Sequence, residues 1–196
     1  DLRILASGAT QAEADQKANT LASMIERTCE KYIYGRDDDT LEGVIGRLLI
    51  DRHAKLAVAE SCTGGQLGMV ITSVPGSSEY FLGGVQAYDN AIKKSLLRVS
   101  DEILNTNGSV SEECAIAMAD GVKKLLRADY ALSITGIAGP DGGTAEKPVG
   151  TTWIGLATPE HVAARSFRFG VERQNNRSRA VHAALELIRR EILGIV

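Results

Sequence analysis

The stretch Ala59-Glu60-Ser61-Cys62-Thr63-Gly64-Gly65 sets a hydroxyl and a thiol side by side, just ahead of a pair of glycines. The apolar run Leu56-Ala57-Val58 before it reads as a buried strand, and the run from Gln66 to about Thr72 reads as helix. Such a turn displays a side chain at the carboxyl edge of a sheet and aims helix N–H groups at the same spot. A serine placed there can attack a carbonyl while backbone N–H groups stabilise the oxyanion. The local pattern is equally compatible with Ser61 or Thr63 acting only as a helix cap. Cys62 is a rival nucleophile. Strand alternation points it away from Ser61, however, and no nearby histidine stands out to generate a thiolate, so packing is its simpler role.

A serine nucleophile without histidine needs another base. Tyr88-Asp89-Asn90-Ala91-Ile92-Lys93 supplies a candidate. Lys93 falls about one helical turn beyond a strand ending near Tyr88, on the side of Ser61 if the two strands are parallel. A partly buried lysine with a depressed pKa can accept the serine proton; the bland alternative is that Lys93 and Lys94 are solvated helix charges. The segment Thr135-Gly136-Ile137-Ala138-Gly139-Pro140-Asp141-Gly142-Gly143 is glycine-rich and follows a strand, so its backbone can approach a ligand closely. It matches neither Gly-x-x-x-x-Gly-Lys-Ser/Thr nor Gly-x-Gly-x-x-Gly. Arg173 and Arg177 bracket the start of the last helix. Arginine suits bidentate phosphate recognition, although a solvated face accounts equally for both.

The elements that must position these groups follow from periodicity. Residues 1–37 read as strand (Leu2 to Ser7), helix (Thr10 to Glu30, with a Thr10-x-x-Glu13 capping box) and strand (Lys31 to Tyr34). Arg36-Asp37-Asp38-Asp39 is the linker candidate. Beyond it come a helix from Thr40 to about Arg52, the strand at 55–60, the Ser61 turn and its helix. A strand from Gly83 to Tyr88, a helix from Asn90 to Arg98 and a long helix from Ser109 or Ser111 to Leu126 come next. Strands at Tyr130 to Ile134, Thr151 to Ala157 and Ala164 to Phe169 precede a final helix from about Asn176 to Leu193. The 16-residue connection from Thr135 to Gly150 is long for a compact domain, and long loops tend to be functional. Strands alternate with helices early and then come in succession. That order predicts a three-layer α/β/α sandwich with a mixed sheet, plus a small β-α-β appendage.

Composition narrows the function classes. Of the 196 residues 44% are hydrophobic and 24% charged, enough for a substantial core. No apolar stretch approaches the roughly 20 residues that span a bilayer. The net charge of −3 argues against non-specific nucleic-acid binding. The cysteines Cys29, Cys62 and Cys114 are odd in number and lack CxxC spacing, and His53, His161 and His182 are scattered, so neither a disulfide framework nor a metal site is expected. A reducing cytoplasm fits this usage.

Assembled, these residues resemble the CinA C-terminal family, the nicotinamide-mononucleotide amidohydrolases. The resembling text runs from Ala59 to Gly65, through Pro75-Gly76-Ser77-Ser78 and Tyr88-x-Asn90-x-x-Lys93, then Val110-Ser111-Glu112 and Met118-Ala119. It ends with Ser133 to Gly143 and Lys147-Pro148-Val149-Gly150-Thr151. The resemblance covers about residues 40 to 193 and implies a catalytic domain over 38–196. Residues 1–37 resemble the end of the KH-like connecting module of full-length CinA proteins, and with the Asp1 start this leads us to expect a piece of a longer chain. The implied reaction is hydrolysis of the carboxamide of nicotinamide mononucleotide to nicotinate mononucleotide and ammonia, with no cofactor or metal. By the same resemblance Ser61 is the nucleophile, Lys93 the base and Tyr88 an assistant at the carboxamide. Thr63, Gly64, Ser77, Asn90, Thr135, Gly136, Arg173 and Arg177 are implied to contact the substrate, with Arg177 and Arg173 at the 5′-phosphate. A homodimer without nucleic-acid or membrane partners is also implied. The competing reading is a regulatory module that binds a nucleotide or a partner without turnover.

Overall fold

The structure, a computed structural model, describes residues 2–195. The chain divides into two compact units, Asp1–Asp39 and Thr40–Val196. In the first, α1 (Gln11–Cys29) forms where the capping pattern predicts it. Thr10 accepts the Glu13 N–H, and the Glu13 carboxylate reaches back to the Ala9 N–H at 2.8 Å. The two flanking strands do not form. Residues 2–8 have no regular structure, and Glu30–Tyr32 is a 3-10 turn. A strand is stable only when its backbone is paired and one face is covered. Neither condition holds here, and Leu2 and Leu5 are 72% and 80% exposed. The expected β-α-β unit is therefore a helix with irregular flanks.

The second unit is built on a five-stranded mixed sheet in the order β2-β1-β3-β4-β5. The strands are β1 (Leu56–Glu60), β2 (Phe81–Gln86), β3 (Tyr130–Gly136), β4 (Thr151–Ala157) and β5 (Val162–Arg168). β1 is parallel to both β2 and β3, whereas β4 and β5 join antiparallel. Every residue of β1 is buried, as a parallel strand covered on both faces requires. On one face lie α4 (Asn90–Leu97), α5 (Asp101–Thr106) and α6 (Glu112–Leu126), and on the other α2 (Leu41–Asp51), α3 (Gln66–Thr72) and α7 (Arg173–Leu193). Ala57 and Ala59 pack against Cys114, Met118 and Val122 of α6. Small residues on β1 bring α6 close to the sheet, and Gly121 brings it close to α4: a Cβ there would overlap the Leu97 carbonyl. A short helix, α5, lies where the sequence pattern had placed none.

Helix boundaries follow side-chain caps. Thr40 accepts the Gly43 N–H, Asp89 the Ala91 N–H and Ser111 the Cys114 N–H. The long β3–β4 connection is pinned at both ends rather than free. Ile137 donates to Thr151 and receives from Gly150, and Thr144 and Lys147 close a turn on each other.

Candidate active site

β1 and β2 are adjacent and parallel, but their exits diverge. The chain leaves β1 toward α3 on one face and β2 toward α4 on the other. Such a divergence opens a crevice outside the carboxyl ends of the strands, the usual ligand position in an open α/β sheet. Ser61 stands at that crevice. Alternation along β1 puts Ala57, Ala59 and then Ser61 on the α4/α6 face, and Val58 and Glu60 on the α3 face. Cys62 is buried. It lies in the electrostatic range of Glu60, Arg173 and Arg177, and burial pushes its thiol up to about 11. A thiol held protonated is not a nucleophile at neutral pH.

Lys93 meets Ser61 across the crevice. Its amine, on a side chain only 1% exposed, lies 3.2 Å from Ser61 Oγ, 2.8 Å from the Ala87 carbonyl oxygen and 3.1 Å from that of Tyr88. Two of these three neighbours can only accept hydrogen bonds. The third, a hydroxyl, can also donate. A neutral Lys93 therefore spends its two N–H groups on the carbonyls and turns its lone pair toward the Ser61 hydroxyl, the arrangement of a general base. Burial drives the Lys93 pKa below its ordinary value, while Cys114, Asp89 and Cys62 would pull it back up if charged. Both thiols are themselves raised to about 11, chiefly by burial, so at neutral pH neither exerts that pull. The amine is thus biased toward its free-base form without any histidine.

The turn after Ser61 differs from expectation in one respect. The first free N–H groups of α3 do not face Ser61. Leu67 and Gly68 donate to the two oxygens of the Glu60 carboxylate, at 2.9 and 2.8 Å, on the opposite face of β1. Glu60, 2% exposed, is therefore the anion at this helix end. It ties α3 to the strand and so fixes the turn between them. A charged residue closing an otherwise apolar strand was its visible signal in the sequence. The donors left for an oxyanion belong to the turn itself, where the Thr63 and Gly65 N–H groups meet no acceptor among the described residues. Gly64 and Gly65 adopt positive φ of 59° and 93°, which lets the chain reverse so tightly.

The first turns of α7 hold the site from behind. Arg177 donates to the Thr63 carbonyl at 2.6 Å and to Gln174 at 3.1 Å, and Arg173 donates to the Gly139 carbonyl at 2.8 Å. Asn176, which no motif marked, is 2% exposed and bridges the Ala138 and Gly170 carbonyls. Both arginines thus spend N–H groups on backbone, joining the Ser61 turn and the glycine-rich loop to one helix. Thr135 is next to Ser61 in register, since Glu60 pairs with Ile134, and its hydroxyl donates to the Ser109 carbonyl at 2.6 Å. Gly136 closes β3 where a Cβ would strike the Thr151 carbonyl, so it serves packing. Asn90 begins α4 at the same sheet edge, exposed. Tyr88 brings its carbonyl to Lys93 while its ring is exposed, the residue being 64% accessible. Ser77 is not brought to the site. It precedes β2, whose parallel course puts it at the opposite sheet edge from Ser61. Among the described residues no three His, Cys, Asp or Glu side chains group as metal ligands, and no helix is long and apolar enough to cross a membrane.

The chain that carries this buried Ser–Lys pair has clear relatives. The sequence model of the CinA C-terminal domain matches residues 38–192. This chain belongs to the CinA family. A CinA-like protein of Synechococcus sp. is 46% identical over 196 residues, covering 99% of this chain and 47% of that protein. Another, from Thermotoga maritima, is 47% identical over 177 residues, covering 89% of this chain and 43% of its own length. A putative competence-damage inducible protein of Moorella thermoacetica is 44% identical over 186 residues, covering 93% of this chain and 45% of that protein. The chain thus spans about half the length of the curated CinA relatives it matches. Among solved structures, the competence damage-inducible protein A of Klebsiella pneumoniae superposes with a TM-score of 0.76 at 30% identity, over 78% of this chain and 95% of that one. A competence/damage inducible protein of Agrobacterium tumefaciens gives 0.72 at 34% identity, over 79% and 98%.

Proposed function

We propose that this domain hydrolyses the carboxamide of nicotinamide mononucleotide, releasing ammonia and nicotinate mononucleotide. The observation that carries the reading is the buried Lys93 amine, with two neighbours that only accept hydrogen bonds and the Ser61 hydroxyl as its third. The choice of substrate rests on the resemblance of the motifs from Ala59 to Thr151 to the amidohydrolase family.

In this reading Ser61 Oγ attacks the carboxamide carbon as its proton passes to Lys93. The carbonyl oxygen takes up the negative charge and is met by turn N–H groups such as those of Thr63 and Gly65. The amide anion is too poor a leaving group to depart, and the Lys93 ammonium returns the proton to the nitrogen as the C–N bond breaks, so that ammonia leaves. Water then attacks the Ser61 ester, giving up a proton to Lys93. Departure of the Ser61 oxygen, reprotonated by Lys93, frees the carboxylate. The site would act as a homodimer component, as the exposed apolar side chains Leu82, Ile92 and Leu96 on β2 and α4 favour, and sedimentation at several concentrations measures that state.

The test is ammonia release from nicotinamide mononucleotide by the purified chain, with the nucleotide product identified by mass. Release of ammonia with a product one mass unit heavier is expected. Binding of the mononucleotide with no product after prolonged incubation would instead mark a module that holds the nucleotide without turning it over.

A further inference from the structure

We propose that Lys147 is an anion anchor of this site, receiving the phosphate monoester of the substrate; the assignment rests on the nucleotide reading above. Three observations lead to it. First, each of the two arginines on α7 spends part of its guanidinium on holding other segments of the chain. Arg177 has N–H groups on the Thr63 carbonyl and the Gln174 side chain, while its buried Nε meets no partner among the described residues, and Arg173 has one N–H on the Gly139 carbonyl. Second, Lys147 is the single basic residue in the long β3–β4 connection, and it is not left to wander. The turn in which Thr144 N–H donates to the Lys147 carbonyl, and Lys147 N–H to Thr144 Oγ1, fixes its backbone.

Third, the Lys147 ammonium is delivered to the rim of the Ser61 crevice. It donates to the Asn107 carbonyl at 2.6 Å, two residues before Ser109, whose carbonyl takes the hydroxyl of Thr135 beside Ser61. A glycine follows Asn107, and a Cβ at Gly108 would come within 3.4 Å of the ammonium, so its absence leaves room beside the charge. An ammonium carries three donors, and one is used among the described residues. The remaining two suit a phosphate, which lysine binds as a compact point charge.

The experiment compares wild type with Lys147→Met and Lys147→Arg in two arms. In the first, kcat and KM are measured for nicotinamide mononucleotide and for its dephosphorylated riboside. The Lys147→Met variant should raise the mononucleotide KM at least tenfold with kcat within threefold, leave the riboside KM unchanged, and be partly rescued in Lys147→Arg. The second arm titrates ribose 5-phosphate into the same proteins by calorimetry, without turnover. Wild type should bind it at least tenfold more tightly than Lys147→Met. Equal ribose 5-phosphate affinities, or no binding to any of the three, would overturn the assignment, as would a riboside KM that rises as much as the mononucleotide KM. If wild type turns over neither substrate, the amidohydrolase reading falls, while the titration still decides Lys147.

Discussion

Replacing Lys93 with methionine keeps most of the side-chain volume in its buried slot and deletes the amine. Its partners are the Ala87 and Tyr88 carbonyls and Ser61 Oγ. Loss of a positioned base slows acyl transfer by about 10²- to 10⁴-fold, which is about 2.7–5.4 kcal/mol on the barrier. The buried Ala87 carbonyl loses its donor at about 1–3 kcal/mol and the part-buried Tyr88 carbonyl loses one at a smaller cost, while the burden of burying an ionisable amine is removed. That burden has a pH signature. Burial depresses the Lys93 pKa below 10.5, so between the depressed value and 10.5 the unfolded chain binds more protons than the folded one. Wild-type stability should therefore climb relative to Lys93→Met as pH rises through that window and be flat below it. Urea unfolding of both proteins from pH 7 to 10.5 reads the difference, and initial rates of ammonia release over the same range read the base. The wild-type kcat/KM should rise with pH along an acid limb set by an amine. A variant retaining more than about a tenth of the wild-type rate would refute the base assignment, given the smallest effect expected of one. So would a stability difference that shrinks as pH rises.

Three further substitutions probe the frame around the pair. Glu60→Gln keeps the shape but loses the charge that accepts the Leu67 and Gly68 N–H groups; a loss of about 1.5–3 kcal/mol by chemical denaturation is expected, with kcat falling because the Ser61 turn loosens. Gly121→Ala drives a methyl onto the Leu97 carbonyl and should cost about 1–3 kcal/mol as α4 is pushed off α6, seen as a lower Tm. Cys62→Ala should keep kcat within about threefold of wild type, because a thiol held near 11 is not the nucleophile; complete loss of activity in a folded variant would reverse that assignment.

Periodicity and turn chemistry made most of the second unit legible. The Ser61 turn, the caps at Thr40 and Ser111 and the strand at Thr151–Ala157 all lie where local pattern puts them. The first unit was not legible in the same way, because Leu2 to Ser7 has a strand's composition but finds no strand to pair with. At the site, Lys93 could be paired with Ser61 once parallel strands were assumed. The destination of the α3 N–H groups could not, since only the pleat decides which face Glu60 occupies. Ser77 shows the limit of motif proximity: it shares the resembling text, yet the length of β2 carries it to the other edge of the sheet. Asn176 was invisible because its partners, Ala138 and Gly170, are backbone carbonyls that no side-chain spacing reveals.

The central claim is that Ser61 is acylated with Lys93 as its base. The most direct measurement is acid-quenched intact and peptide mass spectrometry of the chain during turnover of nicotinamide mononucleotide, alongside ammonia release by Ser61→Ala. The account predicts a transient nicotinyl-mononucleotide adduct on the peptide containing Ser61, and no ammonia above background from a folded Ser61→Ala protein. Ammonia released by Ser61→Ala at the wild-type rate would contradict it.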